Sequence, residues 1–361
     1  MKISIFNGPK KEFDKIIPKE NYLTLAMLVR LIDSKESSTE DLLNQYDFLV
    51  IHSDEYAGVA DFFIEGFLIY SLLFAEKLGY DEIHLHNPPA KILHQIEISK
   101  NNLDVTVCNH EYKKIKIEHL KSIKNDFDKV IYGQQNVKNE LLTSLYSLTN
   151  EGTKKPTVIM FYGPTSVGKT ETAKFVNKVI NSNKTLFRKQ LSMFHSENFM
   201  NYIFGDKSSS FAKDLLDRET NVILLDEFDK AHPMFYSAFY QLFDEGVYTD
   251  KFYDVNLENI VIFCTSNYLN ENEIRKNLGD PIYSRFDHFI KFEELNRAAK
   301  EEIIDSVYAE ELIKYNKEDQ KLINEQNIKN KLKERSSALN NAREIRKIMI
   351  QVMSHILIEK L

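Results

Sequence analysis

The sequence has 361 residues, a length that allows two or three domains, with 43% apolar and 28% charged residues, as in a globular protein with a sizeable core. The net charge of −7 argues against a general polyanion binder, and two cysteines exclude a disulfide framework. We therefore expect a cytoplasmic protein without a nucleic-acid partner.

The first part of the chain alternates strand-like and helix-like segments. Short runs rich in Ile, Val, Leu and Phe, namely KISIF, DFLVIHS, DEIHLHN and LDVTVCN, predict strands. The segments between them, YLTLAMLVRLIDS, FFIEGFLIYSLLFAEKL and AKILHQIEIS, predict helices, and the alternation favours parallel βαβ units. Glu65 interrupts the most apolar of these segments, which is too short to span a membrane. We interpret it as a buried helix and expect no membrane partner.

A lysine-rich stretch, YKKIKIEHLKSIKN, leads into a second block and is interpreted as a solvated connector rather than a nucleic-acid patch. A helix is predicted in NVKNELLTSLYSL, and strands in TVIMFYG, NVILL and NIVIFCTSN. Pro233 suits the first turn of a helix, because its missing amide hydrogen is not needed there. After residue 293 the pattern is wholly helical.

A glycine-rich loop follows the strand TVIMFYG and opens a helix. Its sequence fits G-x-x-x-x-G-K-[ST], the pattern of loops whose amide groups surround nucleotide phosphates. Lys169 is placed to reach the β- and γ-phosphates of ATP, and the Thr170 hydroxyl to ligate Mg²⁺. The phosphate-binding residues predicted here are Gly163, Pro164, Thr165, Ser166, Val167, Gly168, Lys169 and Thr170.

Two acidic residues, Asp226 and Glu227, end the strand NVILL. Such a pair can simply cap a helix, but downstream of a phosphate loop the first acid typically holds Mg²⁺ and the second polarises the attacking water. We assign Asp226 to the metal and Glu227 to the general base. Asn267 closes the third strand, where its amide can orient that water or simply end the strand in a turn.

The ordered motifs resemble those of Clp-type AAA+ ATPases, most closely the second ATPase module of Clp unfoldases and disaggregases. The resemblance covers residues 120–361 and rests on seven blocks: VIYGQQNVKNELLTSL, GPTSVGKTETAK, VILLDEFDKAHP, DEGVYTD, CTSN, IYSRFDHFIKF and NAREIRK. It implies an α/β fold, in which a P-loop AAA+ large domain with a C-terminal α-helical lid follows a small α/β N-terminal domain. The expected domains are 1–115, 116–293 and 294–361.

The resemblance also implies roles for individual residues. Val130, Ile131 and Gly133 resemble the segment around adenine, and Asn267 the residue that senses the γ-phosphate. Arg285 resembles the arginine finger that enters a neighbouring subunit's site, which implies a ring, most often a hexamer. Arg343 resembles the sensor arginine of the lid, although Asn341 stands where the family usually has glycine; both arginines can also be surface ion-pair partners.

One departure concerns the segment that carries an aromatic substrate-gripping loop in these unfoldases. After Gly205 only Asp206 and Lys207 stand where the family has a longer insertion with that aromatic residue. Tyr202 and Phe204 are interpreted as core residues rather than substitutes. ATP-driven remodelling of a protein substrate or adaptor, recognised by the N-terminal domain, is the leading hypothesis; a nucleotide-gated assembly switch is the alternative.

The N-terminal third shows no such resemblance. Its strand ends gather His52, Asp54, Glu55, His84, His86, Cys108 and His110, and ligands of parallel sheets bind at such ends. No tight Cys/His zinc spacing occurs there. We favour docking of a partner protein by this third; a metal site or a small-molecule or catalytic site is the alternative.

Overall fold

The computed structural model describes residues 1–33, 46–150, 155–193 and 197–359. Within these ranges, two parallel sheets of five strands each follow one another along the chain, and four helices end it. No helix in this described part is long and apolar enough to cross a membrane.

The first sheet has the strand order β2-β3-β4-β1-β5. Its strands are β1 (Lys2–Asn7), β2 (Tyr22–Thr24), β3 (Phe48–Ile51), β4 (Glu82–His86) and β5 (Asp104–Asn109), and its helices are α1 (Lys10–Ile16), α2 (Leu25–Asp33), α3 (Asp61–Glu65), α4 (Phe67–Leu78) and α5 (Ala90–Ile98). Strand β2 lies at the start of the segment YLTLAMLVRLIDS, for which the sequence predicts a helix throughout. Three residues are too short a run for alternation to appear in the sequence.

The most apolar segment is not one buried helix, as its composition had indicated. It divides at Gly66 into α3 and α4, where an added Cβ would lie 2.7 Å from the Tyr70 ring. Phe67 and Leu78 are buried in the first core, whereas Ile69 and Leu73 on the same helix are exposed. This segment therefore covers the sheet with one face only.

The second sheet has the order β12-β6-β11-β8-β7. Its region contains α6 (Ile117–Asp126), α7 (Gln135–Tyr146), β6 (Thr157–Tyr162), α8 (Lys169–Asn181), β7 (Phe187–Gln190), α9 (Glu197–Phe204), α10 (Phe211–Leu216), β8 (Val222–Asp226), α11 (Tyr240–Glu245), the hairpin β9 (Val247–Thr249) and β10 (Asp254–Asn256), β11 (Val261–Thr265), α12 (Glu271–Leu278), α13 (Asp280–Tyr283) and β12 (His288–Lys291). The central strands β6, β8 and β11 are buried along their whole length, as expected for a sheet covered on both faces. Their carboxyl ends therefore meet at one edge.

The last helices are α14 (Arg297–Leu312), α15 (Lys317–Glu325), α16 (Ile328–Glu334) and α17 (Ala342–Ile358). Their apolar faces pack against one face of the second sheet and form a single core with it. Ile131, Phe292 and Ala299 belong to this core. Gly133 permits the close approach, because a Cβ there would lie 2.5 Å from the Cβ of Ala299. Helix α14 is thus packed against the predicted adenine segment around Gly133.

Charged contacts join the first sheet's carboxyl edge to the second region. Asp54 accepts hydrogen bonds from Lys213 (2.9 Å) and Lys10 (3.1 Å), and these two cations lower the pKa of Asp54 to about 2. The buried guanidinium of Arg218 stacks over the ring of Tyr112 at 4.0 Å. The contacts of Lys213 and Arg218 fix the N-terminal third against α10 and the residues that follow this helix.

The shortened segment after α9 takes part in the same junction. Lys207 forms an ion pair with Asp61 and donates to the carbonyl of Val59 at 3.2 Å. Tyr202 is buried and donates to Asp214 at 2.6 Å, in agreement with its interpretation as a core residue. Phe204 is not a core residue, because 45% of its surface is exposed at the end of α9.

Candidate nucleotide-binding site

The glycine-rich loop connects β6 to α8 at the centre of the second sheet. Its backbone takes left-handed conformations at Gly163 (φ 127°), Ser166 (φ 61°) and Gly168 (φ 111°). At Gly163 an added Cβ would lie 2.2 Å from the carbonyl oxygen of Phe292, so only glycine fits. Pro164, Thr165 and Val167 complete the turn, and the first turn of α8 presents its amides at the loop.

Lys169 is folded against its own loop. Its ammonium donates to the carbonyls of Gly163 and Pro164, both at 2.6 Å, and to Oδ1 of Asn267 at 3.2 Å. Burial lowers the pKa of Lys169 to about 8, against the opposing effect of Asp229 and then Asp226. The structure thus brings the predicted phosphate lysine and Asn267 together.

Asp226 lies at the centre of a hydrogen-bond network. Its Oδ1 accepts from the Thr265 hydroxyl at 2.6 Å, and the Thr170 hydroxyl lies 3.2 Å away. Its Oδ2 accepts from Nε and Nη2 of Arg188 at 3.0 and 2.6 Å. Only 6% of the Asp226 side chain is exposed, so these neighbouring donors surround nearly all of its surface.

Glu227 follows in a left-handed conformation, with φ of 56°. This conformation is sparsely populated for a residue with a side chain and is costly unless the surroundings hold it. The Glu227 amide donates to the Thr265 hydroxyl at 2.8 Å, and Nε2 of Gln190 donates to its Oε2 at 3.1 Å. Backbone and carboxylate of Glu227 are therefore both held.

The predicted adenine segment lies beside the same loop. Ile131 is buried, and its Cγ2 lies 3.5 Å from where a Cβ would stand on Gly168; half of Val130 is exposed. Gln134 fixes this segment to the end of β12, since its side chain donates to the carbonyl of Glu293 at 2.9 Å and accepts from its amide at 3.2 Å. An apolar wall thus adjoins the phosphate loop.

The two predicted arginines lie apart from this cluster. Arg285 stacks on the Tyr240 ring at 4.1 Å and donates to Asp244 at 2.8 Å. Arg343 is exposed in the first turn of α17, after the helix cap Asn341. Across the described ranges, no hydrogen bond or ion pair joins either arginine to the loop.

The sequence motifs do not predict three residues that contact Asp226 or Glu227, namely Thr265, Arg188 and Gln190. Thr265 lies within the quoted CTSN block, and Arg188 and Gln190 alternate along β7, so both point to one face of the sheet. The alternation is visible in the sequence. That β7 lies next to β8 is not, because strand order depends on the whole fold.

Several polar residues of the N-terminal third hold that third together, whereas Asp54 bonds Lys213 of the second region. The ring of His86, fully buried, lies 2.7 Å from the carbonyl of Gly8, and the Asn87 side chain bonds both the amide and the carbonyl of Gly8 at 2.9 Å. His52 lies 2.9 Å from Asp14. Within the described residues, no three His, Cys, Asp or Glu side chains are grouped as metal ligands would be. Protein docking by this third stays a prediction.

Comparison with known proteins finds a matching family and several relatives. The AAA domain family (Cdc48 subfamily) matches residues 154–333. The chaperone protein ClpB of Malacoplasma penetrans (strain HF-2) is 29% identical over 165 residues, which cover 40% of this chain and 23% of ClpB. The ATP-dependent Clp protease ATP-binding subunit ClpL of Staphylococcus aureus (strain USA300) is 28% identical over 213 residues, 52% of this chain and 30% of ClpL.

Among solved structures, a closed-state reconstruction of Hsp104 with ATPγS and FITC casein matches with a TM-score of 0.53 and 14% sequence identity. That match covers 96% of this chain and 86% of the Hsp104 chain, and at this identity it concerns the fold alone. The curated relatives named above are matched over less than a third of their length.

Proposed function

Residues 154–333 belong to the AAA domain family, so the chain carries a Clp-type AAA+ ATPase module, and we propose that this module works in a ring of identical subunits to remodel a partner protein. The sequence-based identification of a Clp-type ATPase with a parallel α/β fold and a helical lid is thereby confirmed. We further propose that the domains of the chain are residues 1–115, 116–293 and 294–361.

The observation that carries the proposal is the convergence of Lys169, Thr170, Asp226 and Asn267 at the carboxyl edge of the sheet. We assign the triphosphate of ATP to the loop amides and Lys169, and the adenine to the wall that Ile131 helps to form. Thr170 and Asp226 offer a hydroxyl and a carboxylate side by side, which is the hard oxygen donor set that suits Mg²⁺. When bound, Mg²⁺ neutralises charge on the phosphate oxygens.

In this proposal Glu227 is the general base for the attacking water, and Asn267 orients that water or contacts the γ-phosphate. The contact between Gln190 and Glu227 holds the base in one position. Arg285 acts on the nucleotide of the neighbouring subunit, where its planar cation stabilises charge that develops on the transferred phosphoryl group. Arg343 approaches from the lid of the same subunit.

A Glu227→Gln variant tests the base. It should bind a fluorescent ATP analogue as the wild type does and lose about two orders of magnitude in turnover, the usual scale of general-base catalysis. Glu325→Gln, at an exposed position on α15, serves as the matched control and should change neither quantity. Unchanged turnover in the first variant would remove Glu227 from its role.

Mixed rings test Arg285. An Arg285→Ala subunit keeps its own phosphate loop and base, and a Glu227→Gln subunit keeps its arginine. If the arginine acts across the interface, co-expressed subunits of the two kinds should hydrolyse ATP faster than rings of either kind alone. Rings that assemble from both kinds without any gain in turnover would show that Arg285 does not act in trans.

The alternative function is a nucleotide-gated assembly switch whose N-terminal domain carries the output. It is favoured by the short segment after Gly205, whose Lys207 is held by Asp61 and Val59 rather than left free. ATP-dependent loss of fluorescence from a folded substrate protein supports remodelling. ATP turnover in assembled rings without such loss supports the switch.

A further inference from the structure

We propose that Arg188 is a positioning residue of the metal site. Arg188 competes with a divalent cation for Asp226 and thereby sets the Mg²⁺ concentration that nucleotide binding requires. Nε and Nη2 of Arg188 both donate to Oδ2 of Asp226, at 3.0 and 2.6 Å. This inference rests on the proposed function of the site and assigns a role that the sequence motifs do not.

The strand order explains how the arginine reaches the carboxylate. Strand β7 is the edge strand and pairs in parallel with β8, with Arg188 opposite Leu224 and Gln190 opposite Asp226. Thr265 approaches Asp226 from β11 on one side of β8, and Arg188 approaches from β7 on the other. Lys189 points to the opposite face, where it pairs with Asp214.

The lone pairs of Asp226 decide the competition. A carboxylate oxygen accepts about two hydrogen bonds, and Oδ2 already has two from Arg188 and a longer contact of 3.3 Å with the Thr170 hydroxyl. A cation, or a water in its coordination shell, that uses Oδ2 must therefore displace at least one of them. Arg188 is the partner that can move, because 40% of its side chain is exposed against 6% for Asp226.

Charge gives the pair a second effect. A nearly buried carboxylate without a counter-charge is costly, and it also repels an incoming triphosphate. Arg188 removes both penalties as long as no divalent cation is bound. It should thus favour nucleotide binding in the absence of metal and oppose metal binding at Asp226.

The two effects predict opposite shifts in one variant. In Arg188→Gln, the affinity for mant-ADP in EDTA should fall about fivefold, the size expected for losing one nearby charge at an intermediate effective dielectric constant. Mg²⁺ raises the affinity for mant-ADP, and the free Mg²⁺ concentration at the midpoint of this rise should also fall, by about threefold or more. Arg188→Lys keeps the charge and should stay close to the wild type in EDTA.

Lys189→Gln removes the same charge from the neighbouring residue on the same strand and should change neither value. A variant that is only damaged structurally would bind mant-ADP more weakly and also need more Mg²⁺. The inference is overturned if Arg188→Gln shows this pattern, or if its mant-ADP affinity in EDTA and its Mg²⁺ requirement both equal those of the wild type. It is also overturned if Arg188→Lys loses as much affinity for mant-ADP in EDTA as Arg188→Gln does. If the wild type fails to bind mant-ADP at all, the proposed nucleotide site itself fails.

Discussion

The hydroxyl of Thr265 links the two acidic residues of the site, and its removal provides a quantitative test of their arrangement. It accepts from the Glu227 amide at 2.8 Å and donates to Oδ1 of Asp226 at 2.6 Å, at a position with only 3% exposure. Thr265→Val keeps the shape of the side chain and removes both bonds. Thr265→Ser keeps the hydroxyl and removes only a methyl group.

The lost bond to the charged carboxylate is worth about 1.5–3 kcal/mol, and the orphaned buried amide costs about 1–3 kcal/mol. We therefore expect Thr265→Val to lower the free energy of unfolding by about 3–5 kcal/mol, against about 1 kcal/mol for Thr265→Ser. The left-handed backbone of Glu227 also loses its anchor, so turnover should fall by about 10–100-fold, or 1.4–2.7 kcal/mol of transition-state stabilisation.

Urea unfolding and steady-state ATPase assays measure the two effects separately. The valine variant should be both much less stable and much slower in turnover than the serine variant. Equal stability and equal turnover in the two variants would refute the claim that this hydroxyl holds the base in place.

Two further predictions concern the loop and the first sheet. Gly163→Ala places a Cβ against the Phe292 carbonyl at a positive φ. It should abolish binding of a fluorescent nucleotide and lower the free energy of unfolding by about 2–4 kcal/mol. The control Gly58→Ala, whose added Cβ meets no atom within 4 Å, should leave both quantities unchanged. Burial lowers the pKa of His86 to about 4, below its unfolded value, so the unfolded chain takes up the proton first as the pH falls from 6.5 to 4. Stability should fall by about 2–3 kcal/mol between pH 7 and 4.5, and a His86→Gln variant should lose that part of the pH dependence; an identical slope in both proteins would contradict it.

The phosphate loop and the acidic pair could be predicted because each is a short, local pattern. The chemistry can be inferred without knowledge of the fold from glycines at fixed spacing, a lysine at the start of a helix and two acidic residues at the end of a strand. The structure places Lys169, Asn267, Thr170 and Asp226 in one cluster, as that pattern implies.

The contacts of Arg188, Gln190 and Thr265 could not be predicted in the same way. Each depends on β7 and β11 flanking β8, and strand order is a property of the whole sheet. The junction between Lys207 and Asp61 joins residues far apart in sequence, and single surface charges carry no sign of their partners. Exposure of Phe204 and Ile69 likewise depends on which face of a helix meets the core.

The most direct test of the nucleotide site is the equilibrium affinity for a fluorescent ATP analogue with Mg²⁺ in two lysine variants of helix α8. Lys169→Gln removes the cation that contacts the loop carbonyls and Asn267, and Lys174→Gln removes an exposed cation that pairs with Glu171 at 2.7 Å. We predict that the first variant loses affinity on the order of a hundredfold and that the second binds as the wild type does. Equal affinities in all three proteins would contradict the assignment of this loop to the triphosphate.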